Sequence, residues 1–269
     1  MESNQDQLAS LFPNIAAQLK SALGTLQLAA QQLATPATRE ENPRLDAQAA
    51  QLDQSYYRLL RMVNNLSAAE YLTSDAPLPL ENTELAAFVL DIFTKAESLA
   101  SQIGLEMQFI CPKDHILCAV NRPALEQLLY HLLSNALKFT PAGGKVTVEL
   151  QAKGQQILLT VADNGPGIPE SELPMLFDRY LHRDQIAPPP HGLGLGLPLC
   201  RKIAQRHGGA LLAQCAAGKG CRFTCALPLK QVPDKLADTF FDYSGGFNRP
   251  LMHLSDALPA KLFTIRNQG

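Results

Sequence analysis

Two glycine-bearing segments hold the residues of this chain whose types and spacing could do chemistry: Asp163-Asn-Gly-Pro-Gly-Ile168 and His191-Gly-Leu-Gly-Leu-Gly-Leu197. Residues without a Cβ let backbone N–H groups approach phosphate oxygens closely and adopt dihedrals that other residues avoid. Gly192, Gly194 and Gly196 supply that freedom. Leu195 through His207 then reads as a helix, with Leu195, Leu199 and Ile203 on one face and Pro198 in its first turn. The loop therefore opens onto a helix N-terminus, whose unpaired N–H donors and partial positive charge favour an anion such as a triphosphate. Taken alone, three alternate glycines also describe a flexible surface loop. The spacing excludes two other phosphate-binding devices: position 197 is Leu, so G-x-G-x-x-G is absent, and no G-x-x-x-x-G-K-[ST] occurs.

These segments need elements to position them. Upstream, apolar residues at 125, 128, 129, 132, 133, 136 and 137 form a broad helical stripe that ends at Thr140-Pro141. Asn135 and Lys138 lie three apart on that helix, which puts them on one face. An amide oxygen is a neutral ligand suited to Mg²⁺, and a lysine is a point charge suited to phosphate. An amphipathic helix with a polar edge is the plain alternative. Ile157 to Ala162 reads as an apolar strand that a carboxylate, Asp163, brings to an end.

In order and in residues these blocks resemble the ATP-binding domain shared by sensor histidine kinases, Hsp90, MutL and gyrase B. The resemblance runs from about Leu78 to Leu229. Asn135-Ala-Leu-Lys-Phe-Thr resembles the family's N box, Asp163-Asn-Gly-Pro-Gly-Ile its G1 box, Leu176-Phe-Asp-Arg-Tyr180 its F box and Gly192-Leu-Gly-Leu-Gly-Leu its G2 box. Gly218-Lys-Gly220 followed by Cys221-Arg-Phe-Thr-Cys-Ala-Leu-Pro is similar to the closing hairpin of the histidine kinase branch.

The resemblance implies an α+β protein whose ATP-binding domain is a sandwich of a mixed sheet packed on helices, the Bergerat-type fold. It implies ATP and Mg²⁺ as cofactors. Asp163 would accept a hydrogen bond from the adenine amino group, Asn135 would hold Mg²⁺, and Lys138 would meet the phosphates. Gly165 and Gly167 would let the backbone turn under the base, and Thr224 would touch adenine through water. Gly192, Leu193, Gly194, Leu195 and Gly196 would cradle the phosphates. Pro169 to Pro190, carrying Arg179, would form a lid. His131 stands where the N box often begins with Asn, one turn from Asn135. It reads either as a residue touching the phosphates or the Mg²⁺ shell or as a packing histidine.

Residues 1–74 differ from the rest, being rich in Ala, Gln and Leu with almost no Gly. Leu8, Leu11, Ile15, Leu19, Ala22, Leu26, Ala29 and Leu33 recur at threes and fours, and the steps of Leu45, Leu52, Tyr56, Leu59, Val63 and Leu66 after Pro43 settle into four and three. That is a heptad seam on each of two helices, joined by a Pro-bearing turn over 34–43. A helical hairpin alone cannot bury both of its apolar faces, which predicts an antiparallel hairpin completed into a four-helix bundle by a second copy.

Such a hairpin before this ATP-binding domain resembles the layout of a histidine kinase core, whose first helix carries the phosphoacceptor in a His-Glu-Leu-Arg-Thr-Pro-Leu type of segment. This chain offers Ala17-Gln-Leu-Lys-Ser-Ala-Leu23, and no histidine precedes His115. Phosphoryl transfer to imidazole needs a nucleophile and a group to orient it or take its proton. Ala17 and Gln18 supply neither. Three readings follow. The first is an ATP-binding, dimeric, histidine-kinase-like regulator or pseudokinase of a two-component type system, acting through conformation, a response regulator or a kinase partner. The second is an active kinase that phosphorylates an atypical or external site, and the third is an anti-sigma-type serine kinase. Compact kinases of that last type lack the hairpin, which argues against it.

At 269 residues, with net charge −2, 46% hydrophobic content and no Trp, the composition is that of an ordinary soluble protein. There is no basic block to suggest nucleic acid. No apolar run approaches a membrane span and no signal-peptide pattern opens the chain, so a cytoplasmic location is expected. Cysteines at 111, 118, 200, 215, 221 and 225 form no C-x-x-C pair and are expected to be mostly reduced core thiols. The organisation expected is a dimerisation hairpin over 1–74, an ATP-binding domain over 78–230 and an extension over 231–269. That extension carries Phe240, Phe241, Tyr243, Phe247 and Phe263. Packing back on its own domain is the favoured expectation for it, and presenting an apolar motif to a partner is the alternative.

Overall fold

A computed structural model describes residues 2–73, 78–177, 194–233 and 248–265. The chain divides into two compact units, one made of residues 1–74 and 251–269 and the other of residues 75–250.

The first unit is built on α1 (Glu2–Leu33) and α3 (Pro43–Thr73), joined through the short α2 (Pro36–Glu41). Two polar caps make that corner. Thr35 Oγ1 accepts the Thr38 N–H ahead of α2, and Asn42 Oδ1 accepts the N–H groups of Arg44 and Leu45 at the start of α3. The hairpin buries Ala16, Leu23, Ala49, Ala50, Tyr56, Leu60 and Val63. It leaves Ile15, Leu19, Leu26, Leu33, Leu52 and Leu59 exposed, most of the described members of the two seams. The side chains of Leu8, Leu11 and Leu66 lie outside the described residues.

The described part of the C-terminal extension packs on this hairpin. Leu251, Met252, Leu254, Leu258, Leu262 and Phe263 are buried, with the Phe263 ring 5.7 Å from that of Tyr57. Buried Arg39 donates to Asp46 Oδ1 at 2.9 Å, Asp53 Oδ2 at 2.8 Å and the Phe263 carbonyl at 3.0 Å. A cation so far from water needs such partners. The expectation that the extension packs back on the domain it follows is therefore corrected for 251–265, which belong to the hairpin unit. Phe240, Phe241, Tyr243 and Phe247 lie outside the described residues.

The second unit begins with β1 (Glu81–Glu84), α4 (Leu85–Ser101), β2 (Glu106–Ile110), β3 (Leu117–Val120) and α5 (Arg122–Phe139). It continues with β4 (Lys145–Lys153), β5 (Gln156–Asp163), α6 (Gly196–Arg206), β6 (Ala210–Cys215) and β7 (Cys221–Pro228). The main sheet has the order β2-β4-β5-β7-β6, with β2 parallel to β4 and the other pairs antiparallel. β1 and β3 form a separate antiparallel pair. Alternation sets one face of the main sheet inward: Val146, Val148 and Leu150 on β4, Ile157, Leu159 and Val161 on β5, Phe223, Cys225 and Leu227 on β7 are all buried. α5 contributes Leu125, Leu128, Leu129, Leu132, Leu133 and Leu137 to the same core, and α6 contributes Leu199, Cys200 and Ile203. The mixed sheet packed on helices is the fold class that the sequence predicts.

The expectation of unpaired cysteines fails at one place. Cys215 and Cys221 face each other as the last pair of the β6–β7 ladder, with Cα atoms 4.2 Å apart, and form a disulfide. Strand register brings them together, so the absence of a C-x-x-C spacing is no obstacle. Cys111, Cys118, Cys200 and Cys225 stand outside the disulfide.

Candidate nucleotide site

Asp163 ends β5 and lines a cavity of about 450 Å³, together with Leu173, Cys215, Ala216, Gly220 and Cys221. Its Oδ1 accepts the Gly165 N–H at 2.9 Å and the Cys221 N–H at 3.3 Å. Burial pushes its carboxyl above the ordinary carboxylate value, and these two N–H groups pull in the opposite direction. A partly desolvated carboxylate in a cavity is a strong hydrogen-bond acceptor for a ligand donor.

The loop after Asp163 and the turn between β6 and β7 interlock. Gly167 has φ +69° and Gly220 φ +77°. A Cβ on Gly167 would collide with Ala216 O, and one on Gly220 with Asp163 O. Gly218 N–H donates to Pro166 O at 2.7 Å across the same junction. Only glycine meets both the dihedral and the approach at these two positions.

α5 is the spine that joins the remaining pieces. Asn121 Oδ1 caps its N-terminus by accepting the Ala124 N–H at 3.1 Å. At its C-terminal end, Gly165 sits so close to Phe139 O that a Cβ would lie 2.8 Å away. Two turns earlier buried His131 meets the start of α6, its Nδ1 3.2 Å from where a Cβ on Gly196 would stand. Asn135 lies between these two contacts on the same helix, half-buried, and so does Lys138, whose Nζ is 5.5 Å from the centre of the Phe139 ring. One helix thus holds the Asp163–Gly167 loop at one end and the N-terminus of α6 near its middle. Gly194 has φ +70° with open space around it, and buried Leu195 is the N-cap of α6.

Some candidates are not brought together. Thr224 pairs with Thr160 across β5 and β7, the hydroxyls 3.0 Å apart. Residues directly opposite share a face, and Asp163 lies three positions along β5 from Thr160, so Asp163 and Thr224 project from opposite faces. The assignment of Thr224 to adenine is corrected on that ground. Cys221, which lines the cavity and donates to Asp163, stands there instead and was not foreseen. Arg179, Gly192, Leu193 and most of the 169–190 segment lie outside the described residues. Ala17 and Gln18 are exposed on α1, in the other unit.

His207 is held as a neutral ring at the end of α6. Asn121 N–H donates to its Nε2 at 3.0 Å, so Nδ1 carries the proton and donates to Ile203 O at 2.8 Å. Burial lowers its pKa, in keeping with that neutral form.

A mixed sheet over helices, with an acidic strand end, interlocked glycine turns and a glycine-fronted helix, defines an ATP-binding domain of the Bergerat type. Residues 120–231 match the family described as histidine kinase-, DNA gyrase B-, and HSP90-like ATPase. The chain is 29% identical over 223 residues to the adaptive-response sensory kinase SasA of Rippkaea orientalis, covering 80% of this chain and 56% of that protein. It is 31% identical over 180 residues to the sensor histidine kinase WalK of Bacillus subtilis, covering 65% of this chain and 29% of that protein. Full-length ShkA, solved in complex with AMPPNP, aligns at a TM-score of 0.65 and 24% identity over 84% of this chain and 46% of that one, which shows the fold. Residues 120–231 thus carry a histidine kinase-like ATP-binding domain. The chain spans about half or less of the length of these relatives. No helix among the described residues is long and apolar enough to cross a membrane.

Proposed function

We propose that this protein is an ATP-binding, dimeric regulator of a two-component type system that does not phosphorylate its own first helix. The observation that carries the ATP part is the α5 spine, which joins the Asp163–Gly167 loop to the start of α6 with Asn135 between them. The residues fit the nucleotide: Asp163 is a carboxylate acceptor in a cavity, and the turns beside it leave no room for a Cβ. In this reading Asp163 accepts from the adenine amino group, Asn135 supplies the oxygen that holds Mg²⁺, and Lys138 meets the phosphates. Gly194 to Gly196, at the start of α6, would lie along the phosphates. When bound, ATP would supply a phosphoryl group at its γ-phosphate.

The destination of that group is what the first helix lacks. Neither α1 nor α3 contains a histidine, and the aligned positions are Ala17 and Gln18. The hairpin therefore acts as a dimerisation and signalling element, and a response regulator or a kinase is the expected partner. SasA and WalK are named as kinases, and the intact nucleotide blocks favour a second reading, transfer to an external site.

Incubation with γ-labelled ATP and Mg²⁺, alone and with candidate response regulators, separates the two. The first reading expects ATP to bind while no acid-labile label appears on this chain or on an added protein. Label on this chain would sink it, and label only on an added protein would establish the second.

A further inference from the structure

The Cys215–Cys221 disulfide closes a ring around the turn from Ala216 to Gly220. That turn supports the Asp163 loop, through the Gly218 N–H on Pro166 O at 2.7 Å and the contacts that exclude a Cβ at Gly167 and Gly220. Cys221 itself donates its N–H to Asp163 Oδ1. Both cysteines line the cavity that holds Asp163. The cross-link thus belongs to the same residue whose backbone N–H orients the adenine-side acceptor.

We propose that Cys215 and Cys221 are a reversible thiol–disulfide pair that sets how firmly the nucleotide cavity is held, an inference that rests on the ATP-binding reading. Cys215 is half-buried and Cys221 is 8% exposed, so Cys215 is the thiol that a reagent meets first. Its thiolate attacks one sulfur of a low-molecular-weight disulfide such as glutathione disulfide, forming a mixed disulfide and releasing one small thiol. The Cys221 thiolate then displaces the second small thiol and closes the intramolecular bond. Two protein thiols give up two protons and two electrons, and the small disulfide is reduced to two thiols. The other cysteines do not compete as resolving thiols: Cys118, Cys200 and Cys225 are buried, burial pushes the Cys225 thiol up to about 12, and Cys111 follows β2 at the opposite edge of the sheet from β6.

The consequence is a matter of preorganisation. With the ring closed the turn has few conformations, and the Cys221 N–H stays on Asp163. With the ring open, ordering the turn is charged against nucleotide binding.

The test uses the full chain equilibrated across a series of glutathione to glutathione disulfide ratios. Free thiols are alkylated for peptide mass analysis, and ATP affinity is measured by calorimetry on the fully oxidised and fully reduced forms. The expected result is a Cys215–Cys221 disulfide that forms and opens within the series, with affinity about threefold or more weaker in the reduced form. Cys215→Ser should bind like the reduced form at every ratio. The inference is overturned if both cysteines remain alkylated throughout, or if the two wild-type forms bind ATP alike. If neither form binds ATP, the nucleotide reading falls and takes this inference with it.

Discussion

Asp163 is asked to do two opposed things. Its folded pKa lies above the ordinary value because burial penalises the charged form, so the nucleotide-free fold loses stability as pH rises through the carboxylate range towards that raised value. Asp163→Asn removes the penalty while keeping an oxygen for the Gly165 and Cys221 N–H groups. It should therefore raise the melting temperature of the nucleotide-free protein at neutral pH. It should also weaken ATP binding by about 1–3 kcal/mol, roughly 5- to 150-fold, because the site loses its charged acceptor. Calorimetry and thermal melts on the same preparation check both signs, and unchanged ATP affinity would remove Asp163 from the site. Gly167→Ala is the contrasting change. With φ +69° and Ala216 O in the way, it should destabilise the fold by more than about 1 kcal/mol and reduce ATP binding together. Near-normal melting would show that the two turns are not interlocked as described. These residues were legible because their signal is local: a carboxylate ending an apolar strand and glycines at fixed spacing. Thr224 was misread because the face a strand residue takes depends on register, and the register of β7 against β5 is not written in either strand alone.

At the scale of elements, α6 was bounded in advance by its periodicity and its glycines, whereas the role of the residue that ends it was not. His207 joins α6 to the Asn121 cap of α5 only as a neutral ring. Its folded pKa lies below the unfolded value of 6.5, so as pH falls the unfolded chain takes up the proton first. Stability from this group is whole above about pH 6.5 and is lost below it. The melting temperature should decline on that acid side in the wild type and decline less in His207→Gln, which has no ring to protonate. The seat of the C-terminal segment was likewise illegible, because it depends on contacts such as Arg39 with the Phe263 carbonyl, 224 positions apart in sequence. An aromatic residue in a tail states that it will be covered and not by what. Phe263 is fully buried against the hairpin unit, so Phe263→Ala should cost about 3–5 kcal/mol of the stability of that unit. Denaturant unfolding followed by the helical signal tests this, and a loss below about 1 kcal/mol would mean that the segment merely rests there.

For the whole molecule, the open question is what covers the apolar stripe left on the hairpin. The C-terminal segment takes one side of α3, yet Leu26 remains 66% exposed, Leu33 85%, Leu52 52% and Leu59 48%. Exposed leucines scattered singly would call for no account. These recur at heptad spacing on both helices, as they do when a second hairpin completes a bundle. A second copy of the chain is the occupant that needs no further component, since each copy offers the same stripe and a two-fold arrangement covers both. Leu26→Glu with Leu59→Glu, in both copies, would bring four carboxylates into such an interface, and charges without partners are excluded from a dry seam. Sedimentation should therefore change from dimer to monomer in the double variant. The ATP affinity should stay at the wild-type level, because every group assigned to the nucleotide lies within residues 78–230. A wild-type chain that sediments as a monomer at micromolar concentration would end the dimer reading. A variant that remains dimeric would move the interface off this stripe.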